Sequence, residues 1–447
     1  MKHSPQIIIL GGGPAGMGVG YYCYKNKIKF KLFEMSSEVG GNCKTFRYHN
    51  FKYDSGAHRF HDKDNQTTKD IISIMGEDLN KIEVPSQIYL KNRYIDFPLS
   101  PWNLVKFLGL KDSFTEFAKL LYIKAKNSDK DFKNFEEFAI NTYGKKLANL
   151  FLLGYSEKLW GLPCSKLSTE IAGKRLKGLN LTTLILEILG LKNKKTKHLD
   201  GEFYYPKEGI GSIFQKMMLK TDKKNYFLEN EVTKIEHSNN FIKNIETNGE
   251  GVHDVDYLVS SLSLDIIGRI MEPKIPKIVS NSIKSIKYRD LILVTLFLDK
   301  KNINRNGSMY FPSNSFSFTR IYEAKNRSKN MSPLNKTSLS VEIPTYSDST
   351  LWNQTNIKIQ EKITQELMNL NLFNEKNIID IKINRISKAY PILDNNYKNH
   401  IDVIMKYFSQ FKNLRINGRN GKFKYTHIHD HIKDARNIVE NLKNNFI

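Results

Sequence analysis

Two groups of residues in this 447-residue chain have the types and spacing to do chemistry. The first is Gly11-Gly12-Gly13-Pro14-Ala15-Gly16, followed by an acid, Glu34. Glycines at the first, third and sixth positions permit a tight turn (Gly11), close approach of backbone to a phosphate (Gly13) and close packing of a helix on a strand (Gly16). The helix that follows the glycines offers amide groups and a positive dipole end that favour an anion. The second group is Gly40-Gly41-Asn42 with Gly56-Ala57-His58, two further backbone approaches close to the first.

The flanking residues supply elements to position these groups. Gln6-Ile7-Ile8-Ile9-Leu10 is a continuous apolar run, as in a parallel strand buried on both faces, and it leads into the glycines. A helix from Met17 to Lys25 and a strand Phe30–Phe33 ending at Glu34 complete a dinucleotide-binding βαβ unit, with Glu34 placed to accept from ribose hydroxyls. Two glycine-rich approaches within about sixty residues suit FAD, whose pyrophosphate and tricyclic ring both press on backbone, more than NAD.

Farther along, residues 98–202 carry helical periodicity, for example Leu104, Phe107 and Leu108, and read as an inserted helical lid subdomain. Strands return near Glu202. Residues 230–259 read as a β-meander feeding another strand, residues 283–392 as a sheet, and 324–336 as a surface loop. A short strand at Leu414–Ile416 runs into Gly418, and a final helix is expected from about His431 to Leu442. The fold class expected is α/β. It comprises a discontinuous Rossmann-type FAD-binding domain (1–75, 203–282 and 395–447), the helical lid (98–202) and a substrate-side β-sheet domain (76–97 and 283–394).

Composition narrows the partners. With 69 Lys+Arg against 46 Asp+Glu the net charge is +23, yet the lysines are dispersed and no nucleic-acid-reading motif accompanies them, so no nucleic-acid partner is expected. Three cysteines are too few for a disulfide framework, which points to a reducing compartment. The apolar run at 7–10 is far shorter than a signal-peptide core, so the expected location is cytoplasmic, with the inner face of the membrane as an extension of that reading. His427, His429 and His431 alternate near the end, but without a carboxylate or cysteine at strong ligand spacing, and no metal is expected.

The string GGGPAG…E…VGGN…YDSGAHRFH resembles the FAD-binding start shared by the amine oxidase, protoporphyrinogen oxidase and UDP-galactopyranose mutase superfamily. The mutase branch is similar over most of the chain. Gly154-Tyr155-Ser156-Glu157-Lys158-Leu159-Trp160-Gly161, Thr319-Arg320-Ile321-Tyr322-Glu323, Tyr390-Pro391-Ile392-Leu393-Asp394 and Gly418-Arg419 with Phe423-Lys424-Tyr425 each resemble one of its segments. The resemblance implies FAD held by Gly11, Gly13, Pro14, Ala15, Gly16, Glu34, Gly40, Gly41, Asn42, Gly56, Ala57, His58, Val232, Gly418, Arg419 and Tyr425. It implies a substrate site of Tyr155, Trp160, Arg320, Tyr346 and Tyr390, with Arg320, Tyr390 and His58 at the reaction centre. The activity implied is conversion of a nucleotide-activated sugar between pyranose and furanose forms for surface polysaccharide. There a reduced flavin acts as nucleophile and the diphosphate leaves.

One departure keeps a second reading open. The family has another arginine four residues beyond its Lys-Arg pair, and after Lys174-Arg175 this chain has Leu179. An apolar run, Leu179–Leu191, and Lys192, Lys194, Lys195 and Lys197 follow. That stretch suits either a buried lid helix with a solvated loop, or a peripheral membrane contact through 179–197 and a lipid-linked sugar. The alternative is therefore an FAD-dependent oxidoreductase acting on a hydrophobic or lipid-linked substrate. The oligomeric state is not legible.

Overall fold

The computed structural model describes residues 5–97, 101–112, 115–116, 118–119, 132–173 and 202–446. Leu179, the apolar run after it and Lys192–Lys197 lie outside the described residues, as do Pro98, Lys174-Arg175, Phe117, Leu120 and Leu121.

The buried run Gln6–Leu10 forms β1, followed by helix α1 (Pro14–Lys25) and β2 (Lys29–Phe33). β1 pairs in parallel with β2 on one edge and with Tyr257–Ser260 on the other, and Ile7–Leu10 are buried on both faces. With Leu414–Ile416 and Tyr226–Phe227 at the edges this makes a five-stranded sheet. Its strands come from three distant stretches of the chain. Every partner is parallel, and the glycine turn lies at the carboxyl end of β1, where open α/β sheets bind ligands. Helix α1 and the final helix, Ile428–Phe446, pack side by side on the sheet.

The second layer is a seven-stranded sheet built around Tyr288–Leu298. That strand pairs antiparallel with Thr337–Thr345 and with Ile378–Pro391. Arg320–Glu323, Ser308–Tyr310, Ser86–Leu90 and Arg93–Phe97 extend it. The described part of the helical region includes Pro101–Leu108, Phe135–Tyr143, a π-helical segment Ala148–Leu153 and Gly154–Trp160, next to this sheet.

Four local expectations are revised. The region 283–392 contains a helix, Asn356–Met368, whose buried face is Ile359, Ile363 and Leu367, a spacing of four that belongs to a helix and not a strand. The meander is Val232–Ser238, Phe241–Thr247 and Gly251–Asp254, while Tyr257–Ser260 leaves it for the central sheet. The final helix starts at Ile428, a turn earlier than expected, because Asp430 accepts from the His427 N–H and supports that first turn. Finally, 324–336 is not simply a surface loop. Arg327 and Met331 are buried, and Arg327 donates to the carbonyls of His58 and Gly307.

Candidate flavin and substrate site

A cavity of about 340 Å³ lies between the two sheets. One wall is backbone: Gly11, Gly13, Pro14, Ala15, Gly41, Asn42, Gly56, Ala57 and Gly418 line it, with Glu34. Two close approaches explain the glycines. A Cβ on Gly16 would fall 1.9 Å from the Gly11 carbonyl oxygen, so only glycine lets α1 leave β1 at this angle. Gly41 has φ +53°, and a Cβ there would come 2.9 Å from the Gly13 Cα. The two glycine loops therefore meet backbone to backbone. By contrast, a Cβ on Gly13 has only Gly41 Cα within 4 Å, at 3.8 Å, so the Gly13 side is open space within the cavity lining. Glu34 is 7 % exposed and accepts from Gly12 N–H at 2.6 Å and Ser36 N–H at 2.9 Å. An open glycine turn at a helix start with a fixed carboxylate beside it is the shape and donor set that a dinucleotide requires.

The opposite wall is made of side chains. Tyr310, Arg320, Leu291, Ile386, Ala389 and Tyr390 come from the seven-stranded sheet, and Arg419, Tyr425, His427 and His431 from the C-terminal segment. Arg320 is the centre of its charge. Its Nε and Nη2 donate to Oε2 of Glu342 at 2.8 and 2.5 Å, while Oε1 of Glu342 accepts from the Ala57 N–H at 2.6 Å. Burial works against the guanidinium's charge, and the carboxylate of Glu342 more than offsets it, so Arg320 stays charged. Nη1 of Arg320 has no partner among the described residues. The Tyr390 phenol is held above its usual range by burial and by the nearby Glu342 carboxylate, so it remains a proton donor. Arg419 donates to the carbonyls of Thr426 and Ala389, and its guanidinium lies 5.5 Å from the ring centres of both Tyr390 and Tyr425.

His58 lines the same cavity and is pushed down to about 3 by burial and by Arg419, Arg320 and Arg327, so it is a neutral imidazole at ordinary pH. Its neighbours are Cys43 Sγ, at 3.8 Å from Nδ1, and Ser55 Oγ, at 3.4 Å from Nε2. Burial pushes the Cys43 thiol up to about 12, so it is not a nucleophile.

Several candidate residues stand outside the lining. Gly16 and Gly40 shape the turns behind it. Val232 is buried at the start of its strand, in the same apolar cluster as Phe33. Trp160 is buried behind the wall, its ring 6.1 Å from Tyr390 and 5.2 Å from Tyr425. Tyr155 packs edge-on against Tyr310 at 5.8 Å. Tyr346 lies under the Arg289 guanidinium at 4.2 Å and donates to the Gly161 carbonyl. No cluster of three metal-ligating side chains occurs among the described residues.

Tyr310, Leu291, Ile386, Ala389 and Asn420 of the lining escaped the sequence reading, as did Glu342 and Arg327 behind it. Glu342 sits in Thr337–Thr345, a strand buried along its whole length, and a lone carboxylate in such a run was the available signal. Arg327, hidden in an Asn/Lys-rich stretch, gave none.

A two-layer α/β fold with a glycine-walled cavity at the carboxyl end of a parallel sheet has the form of a cofactor-dependent enzyme. The family described as "Flavin containing amine oxidoreductase" matches residues 16–379, and the chain belongs to that family, whose cofactor is a flavin. Among curated proteins it is similar to the dTDP-fucopyranose mutase of Escherichia coli, 25% identical over 174 residues (38% of this chain, 45% of that protein). A probable UDP-galactopyranose mutase of Klebsiella pneumoniae is 25% identical over 180 residues (39% and 45%). The chain thus spans less than half the length of the curated relatives it matches. Among solved structures, a reduced UDP-galactopyranose mutase superposes with a TM-score of 0.84 at 20% identity, covering 98% of this chain and 96% of that one. A putative protoporphyrinogen oxidase from Exiguobacterium sp. 255-15 gives 0.77 at 15% identity, covering 99% of each. At these identities the structures establish the fold. Among the described residues no helix is long and apolar enough to cross a membrane.

Proposed function

We propose that this chain is an FAD-dependent mutase that interconverts pyranose and furanose forms of a nucleotide-activated sugar for surface-polysaccharide assembly in the cytoplasm. The observation that carries the reading is the pairing of Arg320 and Tyr390 on the cavity wall that faces the glycines. Flavin, when bound and reduced, supplies an electron-rich ring nitrogen for such chemistry. The protein supplies the rest. Nη1 of Arg320 and the protonated hydroxyl of Tyr390 hold the diphosphate as its charge grows, and the Trp160, Tyr390 and Tyr425 rings limit water. His58, uncharged, supports the cofactor through shape and not through proton transfer. Glu34 receives the ribose of FAD, the cofactor form that two glycine loops favour. The same reading keeps the division into a discontinuous cofactor domain, a helical lid and a substrate-side sheet, which the separate strand origins of the two sheets support.

The alternative, an oxidoreductase on a hydrophobic or lipid-linked substrate, is favoured by Leu179 and by the commitment of two Arg320 nitrogens to Glu342. Both leave fewer donors for a diphosphate. Anaerobic incubation of the dithionite-reduced protein with UDP-galactopyranose and dTDP-fucopyranose separates the two. Ring-contracted product without an external acceptor supports the mutase, while steady reduction of an added acceptor rejects it. Arg320→Ala should weaken UDP binding to the flavin-loaded protein about tenfold to a hundredfold, the loss of one charge-assisted contact. Unchanged affinity would remove Arg320 from the site.

A further inference from the structure

The wall that carries Tyr390 is not a regular strand. Along the antiparallel pair, Arg289 faces Tyr390 and Leu291 faces Ile386. Asp290 alone therefore stands opposite three residues, Ser387, Lys388 and Ala389. Lys388 takes φ +53° to make this bulge, a conformation that a lysine adopts only when its surroundings impose it.

Asp290 holds the backbone of this bulge, while Asp265 and Ser263 take the Lys388 ammonium. The Asp290 side chain is buried, with the residue 5 % exposed. Oδ1 accepts from the Lys388 N–H at 2.7 Å and Oδ2 from the Ser347 N–H at 2.7 Å. The bulge then presents two carbonyls to the rest of the site. That of Lys388 accepts from Asn420 Nδ2 at 2.8 Å and Asn42 Nδ2 at 3.4 Å. That of Ala389 accepts from Arg419 Nη1 at 3.0 Å. Asn42, Asn420, Arg419, Ile386, Ala389 and Tyr390 all line the cavity. The glycine loop, the C-terminal loop and the substrate wall thus meet on a segment whose backbone Asp290 holds and whose Lys388 side chain pairs with Asp265.

We infer that Asp290 is a positioning residue for the site, fixing the 387–389 bulge and through it the placement of Tyr390 and of the side chains that close the cofactor pocket. The chemistry requires an acceptor at both oxygens. Asparagine has nearly the same shape, yet it must turn an NH2 toward one of two backbone N–H groups, donor against donor. The ligand-binding part of the inference rests on the nucleotide-sugar reading, and the cofactor part does not.

The test uses flavin-loaded D290N, titrated with UDP and with dTDP and followed by flavin fluorescence. Affinity should fall at least tenfold at wild-type flavin content. In a Tyr390→Phe background the same change should add less than twofold, because both act through one phenol. Lys388→Gly adopts positive φ without help but gives up the Nζ contacts to Asp265 and Ser263, so it is its own reference: D290N/K388G should lie within about twofold of K388G, whereas D290N lies at least tenfold from the wild type. Wild-type affinity in D290N, full additivity with Y390F, or no rescue overturns the inference. If the wild type binds neither nucleotide, the nucleotide-sugar reading fails and the flavin carries the test. D290N should then shift the visible flavin bands and release flavin faster, with K388G reversing both, and an unchanged spectrum and release rate overturns the inference. Should D290N prove insoluble, D290S takes its place with the same outcomes.

Discussion

The glycine wall of the cavity comes from one short stretch, residues 11–58, joined at the Gly418 turn, and it touches its ligand space with backbone. The facing wall is assembled from side chains on strands scattered between 288 and 391 and from the C-terminal segment, and each group depends on a distant partner. Arg320 leans on Glu342, Glu342 on Ala57, Tyr390 on the bulge that Asp290 holds, and His58 on Arg327. The first wall has no room for an added atom at Gly16 or Gly41, and at Gly13 an added atom would enter the ligand space. The second tolerates changed atoms as long as charges and acceptors stay matched. A steric wall fits a cofactor that never changes, and a side-chain wall fits a substrate that can vary between relatives.

The sharpest way to break that contrast is Gly13→Val. A Cβ there has van der Waals contact with Gly41 Cα only, so the chain should fold. The added methyls would occupy the pyrophosphate space. Purified G13V should therefore be soluble and colourless, with flavin affinity down by about a hundredfold or more, equivalent to about 3 kcal/mol. Yellow G13V protein with normal flavin content would show that the backbone wall does not hold the cofactor.

Glu342→Gln probes the other wall and should do less. The amide oxygen can keep the Ala57 N–H, while the NH2 meets the Arg320 guanidinium. Replacing a charged acceptor by a neutral one that presents a donor should cost about 2 kcal/mol of stability. UDP affinity should fall about tenfold, with flavin retained, as thermal melts and flavin-fluorescence titration would measure. If E342Q instead lost flavin as completely as G13V, the two walls would not be separable.

The same difference explains what could be read in the chain. Gly11, Gly13, Gly16 and Glu34 announce themselves because a backbone approach demands glycine at fixed spacing, and β1, α1 and β2 follow one another in sequence. Arg320 and Tyr390 were legible only through a resemblance, since nothing local says which cavity they enter. Glu342, Asp290 and Arg327 owe their roles to pairing across strands and loops, which spacing does not encode. The helix Asn356–Met368 was missed because a sheet reading of the surrounding region overrode its own periodicity. Tyr346 is an aromatic of the expected type in the expected region, and its hydroxyl and ring are taken up by Gly161 and Arg289.

His58 stands where the walls meet, and its pH behaviour is the smallest effect that sharpens the comparison. Burial and three arginines hold its imidazole near 3, against 6.5 in the unfolded chain. Between those values the unfolded chain binds a proton that the native protein refuses, so stability falls as pH drops from 6.5 toward 3 and is unaffected by this group above 6.5. The slope is at most about 1.4 kcal/mol per pH unit. His58→Gln should therefore leave the urea midpoint at pH 8 nearly unchanged and flatten its decline between pH 6 and pH 4. Activity should show no ionisation near 6.5 that disappears in the variant, because a neutral imidazole contributes shape and hydrogen bonding but no proton. An activity limb at pH 6 to 7 that H58Q abolishes would instead place His58 in proton transfer and give the backbone wall a chemical role it otherwise lacks.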